Sequence, residues 1–236
     1  MTHPIRQPIE NSNLENQNDT NETDNSITAL VSEILTQIID QNASSEIDLL
    51  AKELKKYQNG FSSDIEKIKN LRQIGNVLLT LNKEDLSHVF YKKTAEICAK
   101  EIQNNPSPDA YLEMGFVCDK LGRGDECRDY YKTLYYKLPG FEQNEDAPSI
   151  CIKIGKYETE ENRGFWYRRA IEIVDSYHSD TRGFFQKAVA LLNLGDINEA
   201  SNCIAQTKQA IETDPESNFQ MDIRKLETFI QQSQSL

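Results

Sequence analysis

The sequence predicts an all-α protein built from repeated pairs of antiparallel helices. Through most of the chain apolar residues recur at spacings of three and four, the signature of helices with one buried face. Proline and glycine, 7 and 10 in 236 residues, are too few for an all-β chain with its many tight turns. A pattern of small and aromatic residues also returns at intervals of 36 to 40 residues, which marks stacked structural units.

Residues 1–25 are rich in asparagine, aspartate and glutamate with almost nothing apolar to bury, and this composition predicts a disordered polar tail. From Ile27 the pattern changes. Ile27, Leu30, Val31, Ile34, Leu35, Ile38 and Ile39 form one stripe, predicting an amphipathic helix over 27–39 with Ser26 near its N-cap. A second helix over 46–57 carries Ile47, Leu50 and Leu54 and ends at Asn59–Gly60. These two extra N-terminal helices occupy 26–60, ahead of a repeat domain over 62–236.

Within that domain Gly75, Gly115, Cys151 and Ala188 align as the small residue of a first helix, spaced 40, 36 and 37 apart. Ser87, Cys127, Arg163 and Ala200 align as the small residue of a second helix, followed four positions later by Tyr91, Tyr131, Tyr167 and Ile204. Two antiparallel helices approach closely only where side chains are small, and the bulky residues fill the seam to the neighbouring pair. The phrases FYKKTAEI (90–97) and WYRRAIEIV (166–174), with the turns KLGRGDE (120–126) and NLGDINEA (193–200), resemble the tetratricopeptide repeat family. The resemblance covers about residues 62–233. It implies a right-handed α-α superhelix of about four helix pairs closed by a C-terminal capping helix. Phe219, Ile223, Leu226, Phe229 and Ile230 supply the apolar stripe of that cap. Pro139 falls at the repeat's terminal proline position. The third pair departs most, with Arg163 at a small position and Pro148 in the first turn, so a shortened first helix is expected there. Lys187 also departs, and its ammonium is expected to snorkel outward.

A formal charge of −12 argues against phosphate neutralisation, hence against nucleic acid, and against an anionic membrane surface. No stretch has the length and apolarity of a membrane span, nor does the N-terminus carry a signal peptide, so a cytoplasmic protein without membrane insertion is expected. Cys98, Cys118, Cys127, Cys151 and Cys203 show no metal-knuckle or CxxC spacing and read as small reduced thiols. His3, His88 and His178 form no HxH or HExxH pattern, and no glycine-rich loop follows a strand, so neither metal nor cofactor nor autonomous enzyme activity is expected. Arg123–Gly124–Asp125 sits in an ordinary interhelix turn. The tyrosines at 130, 131, 135 and 136, and Phe165–Trp166–Tyr167, are expected in packing seams.

The family's first helices line a concave groove. Carried onto this chain, that implies groove positions Lys69, Arg72, Asn76, Leu79 and Thr80 in the first pair. The second contributes Asp109, Leu112, Phe116, Asp119 and Lys120, the third Ile152 and Lys156, and the fourth Arg182, Phe185, Val189, Leu192 and Asn193. Leu112, Phe116, Ile152, Phe185 and Val189 would make an exposed apolar floor with charged edges, suited to a peptide or helix of a protein partner. Glu113 and Glu145 occupy groove positions where they would repel the terminal carboxylate gripped by one chaperone-binding subfamily. The function expected is a non-catalytic adaptor or chaperone-like module. The cadence of 180–204 is also similar to class II chaperones of bacterial secretion translocators. A scaffold or regulatory subunit of an enzyme complex, and pairing of two copies through the 27–39 helix, are further readings.

Overall fold

The structure is a computed structural model and describes residues 27–34, 36, 44–178, 180–213, 223–224, 226–228 and 230–231. The tail over 1–25, Ser26, Leu35, Ile38, Ile39, Phe219 and Phe229 lie outside the described residues. Residues 27–34 are helical. There follow α1 (Ser45–Asn59), α2 (Asp64–Thr80), α3 (Glu84–Asn104), α4 (Pro108–Lys120) and α5 (Gly124–Lys137). After a short 3-10 turn (Phe141–Gln143) come α6 (Ala147–Tyr157), α7 (Glu160–Tyr177), α8 (Thr181–Leu194) and α9 (Ile197–Thr213). No strand occurs among the described residues.

The helix ends are written in the local sequence. Ser44, Ser63, Ser107 and Asp180 each use a side-chain oxygen to accept an otherwise orphaned N–H of the first turn, from Ile47, Glu66, Ala110 and Gly183. Gly195 closes α8 with φ of 82°, and the N–H of Asp196 returns to the Leu191 carbonyl at 3.0 Å, a left-handed cap that only glycine adopts without strain. Pro148 starts α6, where its missing N–H costs nothing.

Helices pack in sequential pairs, α2 on α3, α4 on α5, α6 on α7 and α8 on α9, and each first helix also touches the second helix of the pair before it. First helices meet one another as well, α2 with α4 and α6 with α8. In three pairs one point of contact recurs. The Tyr91 ring lies on Gly75, the Tyr131 ring on Gly115 and the Tyr167 ring on Gly155. A Cβ on Gly75 would stand 2.6 Å from Tyr91 Cε1, one on Gly155 2.8 Å from Tyr167 Cε1, and Gly115 is tighter still. Beside the first nest Ser87 Oγ donates to the Gly75 carbonyl at 2.8 Å, and the Tyr91 hydroxyl donates to Asn76 Oδ1 at 2.7 Å.

These nests correct the alignment of the third pair. The counterpart of Gly75 and Gly115 is Gly155, not Cys151, so the glycines repeat at 40 and 40 while the tyrosines repeat at 40 and 36. The four missing residues fall at the turn. α2 and α4 run five residues past their glycines and α6 runs two, and three linking residues become two, Glu158 and Thr159. The expected short first helix is therefore truncated at its C-terminal end. For the same reason Arg163 is exposed, because no first helix runs beside the start of α7 to require a small residue there. Lys187 behaves as expected, its ammonium reaching Asp175 at 2.7 Å and Glu199 at 3.6 Å.

One core cluster runs from Ile27 to Ala190 and includes Val31 and Ile34 with Leu50, Leu54 and Ile68. Ile27, Val31 and Ile34 of the 27–34 helix are buried in the core of their own chain. A second cluster joins Ala188, Leu191, Ala200 and Ile204 to Ile223 and Ile230, with Leu226 packed on it, so the C-terminal segment covers the last pair.

Two alanine substitutions in the third pair have opposite expected effects. Gly155→Ala drives a methyl into the Tyr167 ring and lowers stability by about 1–3 kcal/mol. At Gly164 of α7 a Cβ meets nothing closer than the mobile Arg168 guanidinium at 3.4 Å, so Gly164→Ala raises stability by about 0.5–1 kcal/mol. Urea unfolding midpoints that move the same way for both contradict the nest.

Candidate functional site

The groove positions named from the sequence lie on α2, α4, α6 and α8, and the structure ties these helices to one another with charged side chains. Between α2 and α4, Lys69 reaches Asp109 at 3.2 Å and Arg72 Nε donates to Glu113 Oε2 at 2.5 Å. Between α4 and α6, Asp119 accepts from Lys153 at 2.6 Å, from Lys156 at 3.2 Å and from the Tyr157 hydroxyl. Arg182 of α8 holds Asp146, the residue before α6, and Glu145 at 3.3 Å.

The apolar positions lie on the same helices. Leu112, Phe116 and Ile152 are half-buried and packed on the main core, and Phe185 is half-buried on the second cluster. Val189 is half-buried as well. The floor expected to be exposed is thus half-buried. The cause is visible at Phe116, where the Arg72 guanidinium lies 5.0 Å from the ring centroid and the Lys120 ammonium 5.5 Å, each cation held by the ring's negative face. Asn76 is committed to Tyr91, and Asn193 donates to the Val189 carbonyl at 2.8 Å.

The two glutamates that argued against a carboxylate ligand stand differently from expectation. Glu113 is buried and faces Arg72. Burial pushes its carboxyl upward, and Arg72 and Lys69 pull it only part of the way back. Glu145 precedes α6 and is exposed, because in the corrected register Ser149 takes its repeat position. At Asp119, burial alone would raise the carboxyl, but hydrogen bonds from Lys153 and Tyr157 and the charges of Lys153 and Lys156 prevail and bring it from 3.8 to about 2.

Sequence reasoning missed Lys153, Tyr157 and Asp146 as partners on this face. The missed signal was the glycine repeat at 40, since it places Lys153 two residues before Gly155 as Glu113 stands two before Gly115.

Elsewhere the chemistry is quiet. Cys98, Cys118, Cys127, Cys151 and Cys203 are buried free thiols, and burial pushes Cys118 up to about 11 and Cys127 and Cys151 up to about 12, away from reactive thiolate. His178 Nε2 lies 3.0 Å from the Glu142 carbonyl, and His88 is exposed. Among the described residues no group of three His, Cys, Asp or Glu is placed to hold a metal, and no helix is long and apolar enough to cross a membrane. In the Arg123–Gly124–Asp125 turn Arg123 pairs with Glu126, Asp125 with Arg128, and Gly124 lies under the Tyr157 ring. Tyr131, Trp166 and Tyr167 are buried in seams as expected, whereas Tyr136 and Phe165 are 65% and 52% exposed at the edge of Trp166.

The acid behaviour of Asp119 is testable. A carboxyl depressed in the fold contributes stability above its unfolded value and loses it as pH falls through its folded value. With 9% of the side chain exposed, the shift from 3.8 to about 2 corresponds to about 2 kcal/mol at pH 7. Asp119→Asn is therefore less stable by about that amount at neutral pH, and the deficit closes between about pH 4 and pH 2 in acid titrations followed by circular dichroism.

In comparisons with known proteins, no family model and no curated protein matches the chain.

Proposed function

We propose that this chain is a non-catalytic protein-interaction module of tetratricopeptide type, a right-handed superhelix that holds a peptide or helix of a partner protein along the face of α2, α4, α6 and α8. The observation that supports this most directly is the half-buried Phe116 ring under the Arg72 and Lys120 cations, with Leu112 and Ile152 also half-buried on the first helices. Magnitudes favour opening that cover. The Lys69–Asp109 pair has side chains 46% and 54% exposed, and such pairs contribute only about 0–1 kcal/mol each. A partner's apolar side chain buried in their place gains about 1.5–3 kcal/mol. Arg72–Glu113 is different. Glu113 is buried, and stripping its partner would cost about 3–5 kcal/mol, so Arg72 stays at its edge of the Phe116 ring and Lys120, which makes no ion pair among the described residues, is the cation that gives way. The buried thiols suit a reducing compartment such as the cytoplasm.

Affinity capture from lysate of the source cells tests the reading. The wild-type chain is compared with Phe116→Glu plus Ile152→Glu, both matched for helicity and melting temperature. The expected result is a partner retained by the wild type and reduced about tenfold or more by the variant, the loss of one buried anchor being worth about that factor. Identical captured sets from both would contradict it.

A further inference from the structure

The junction of α4 and α6 carries a local excess of positive charge in an acidic chain. Three ammonium groups, Lys120, Lys153 and Lys156, gather around the single carboxylate of Asp119. Lys153 and Lys156 both contact that carboxylate, while Lys120 makes no ion pair among the described residues and rests over the Phe116 ring. Burial and repulsion from Lys153 and Lys156 lower the Lys120 ammonium against the pull of Asp119. Lys153 and Lys156 are 38% and 54% exposed, so the surplus charge is open to solvent. Phe116 and Ile152 lie half-buried beside it, on α4 and α6.

We propose that this junction selects the partner: it receives an acidic side chain of the bound segment on Lys120, Lys153 and Lys156, with a neighbouring large apolar residue of the same segment seated on Phe116 and Ile152. The inference rests on the groove reading above and adds to it the charge of the occupant. An added carboxylate relieves the repulsion among the three lysines, whereas a basic segment would meet it. The apolar floor favours a polypeptide over a free anion, and the formal charge of −12 disfavours a nucleic-acid polyanion at long range.

Fluorescence anisotropy of the full chain tests this with short labelled peptides in matched sets, leucine combined with aspartate and glutamate, with asparagine and glutamine, or with lysine, each with an amidated C-terminus. The acidic set is expected to bind about tenfold more tightly than the neutral set, and this preference should weaken with added salt. Lys153→Gln plus Lys156→Gln should erase the preference. Should that variant unfold, Lys120→Gln, which breaks no ion pair among the described residues, should reduce it. Asp119→Asn, by releasing both lysines, should instead tighten acidic peptides, a gain that a purely structural role does not produce. The proposal is overturned if the lysine set binds as well as the acidic one. Preference that survives the lysine substitutions overturns it too, as does an oligonucleotide binding as tightly. Equal binding of acidic and neutral sets, abolished by Phe116→Glu, removes acid selection and leaves the groove reading standing. No binding by any set removes both.

Discussion

Each of three helix pairs closes around a tyrosine ring laid on bare backbone. At Gly75, Gly115 and Gly155 the first helix presents no side chain, and the aromatic ring of the second helix takes the space a methyl would need. The contact fixes both how near the helices come and how each is rotated, since only one face of each helix offers the glycine or the ring. Rotation in turn decides which residues of the first helix look away from the pair. Those one position past the glycine, Asn76, Phe116 and Lys156, and those three before it, Arg72, Leu112 and Ile152, therefore share one face. A similar device works between pairs, where the Tyr157 ring covers Gly124 and its hydroxyl reaches Asp119.

The charged ladder along the first helices has a different role. Pairs such as Lys69–Asp109 are too exposed to hold the array together, and the apolar clusters do that. At Phe116 the ladder's effect is to lay the Arg72 and Lys120 cations over an apolar ring. Arg72–Glu113 and the Asp119 cluster are the exceptions, buried enough for their charges to be felt.

The helix starts and the paired architecture were legible in the sequence because serine caps, glycine stops and the three-four apolar stripe are local signals. The glycines and tyrosines of the first two nests were aligned but not their contact: bulky residues were expected in the seam to the neighbouring pair, and Tyr91 and Tyr131 instead lie on the glycine of their own pair. The third was missed because Gly155 stands 12 residues before Tyr167 where the others stand 16, and an alignment without gaps slid to Cys151, itself small and buried. The residues named for the groove lie on the first helices, but their exposure was not legible. Whether Phe116 is exposed depends on where Arg72 and Lys120 lay their long side chains, and spacing along one chain does not encode that. In the same way Glu113 reads as repulsive in the sequence and is an internal partner of Arg72 in the fold.

A double-mutant cycle on the second nest tests this account most directly. Gly115→Ala in the native background should cost about 1–3 kcal/mol, because the new methyl has nowhere to go under the Tyr131 ring. In a Tyr131→Leu background, with the ring gone, the same substitution should cost little or stabilise, giving a coupling of at least about 1 kcal/mol. An equal penalty in both backgrounds would show that the ring on the glycine does not set the packing of the pair.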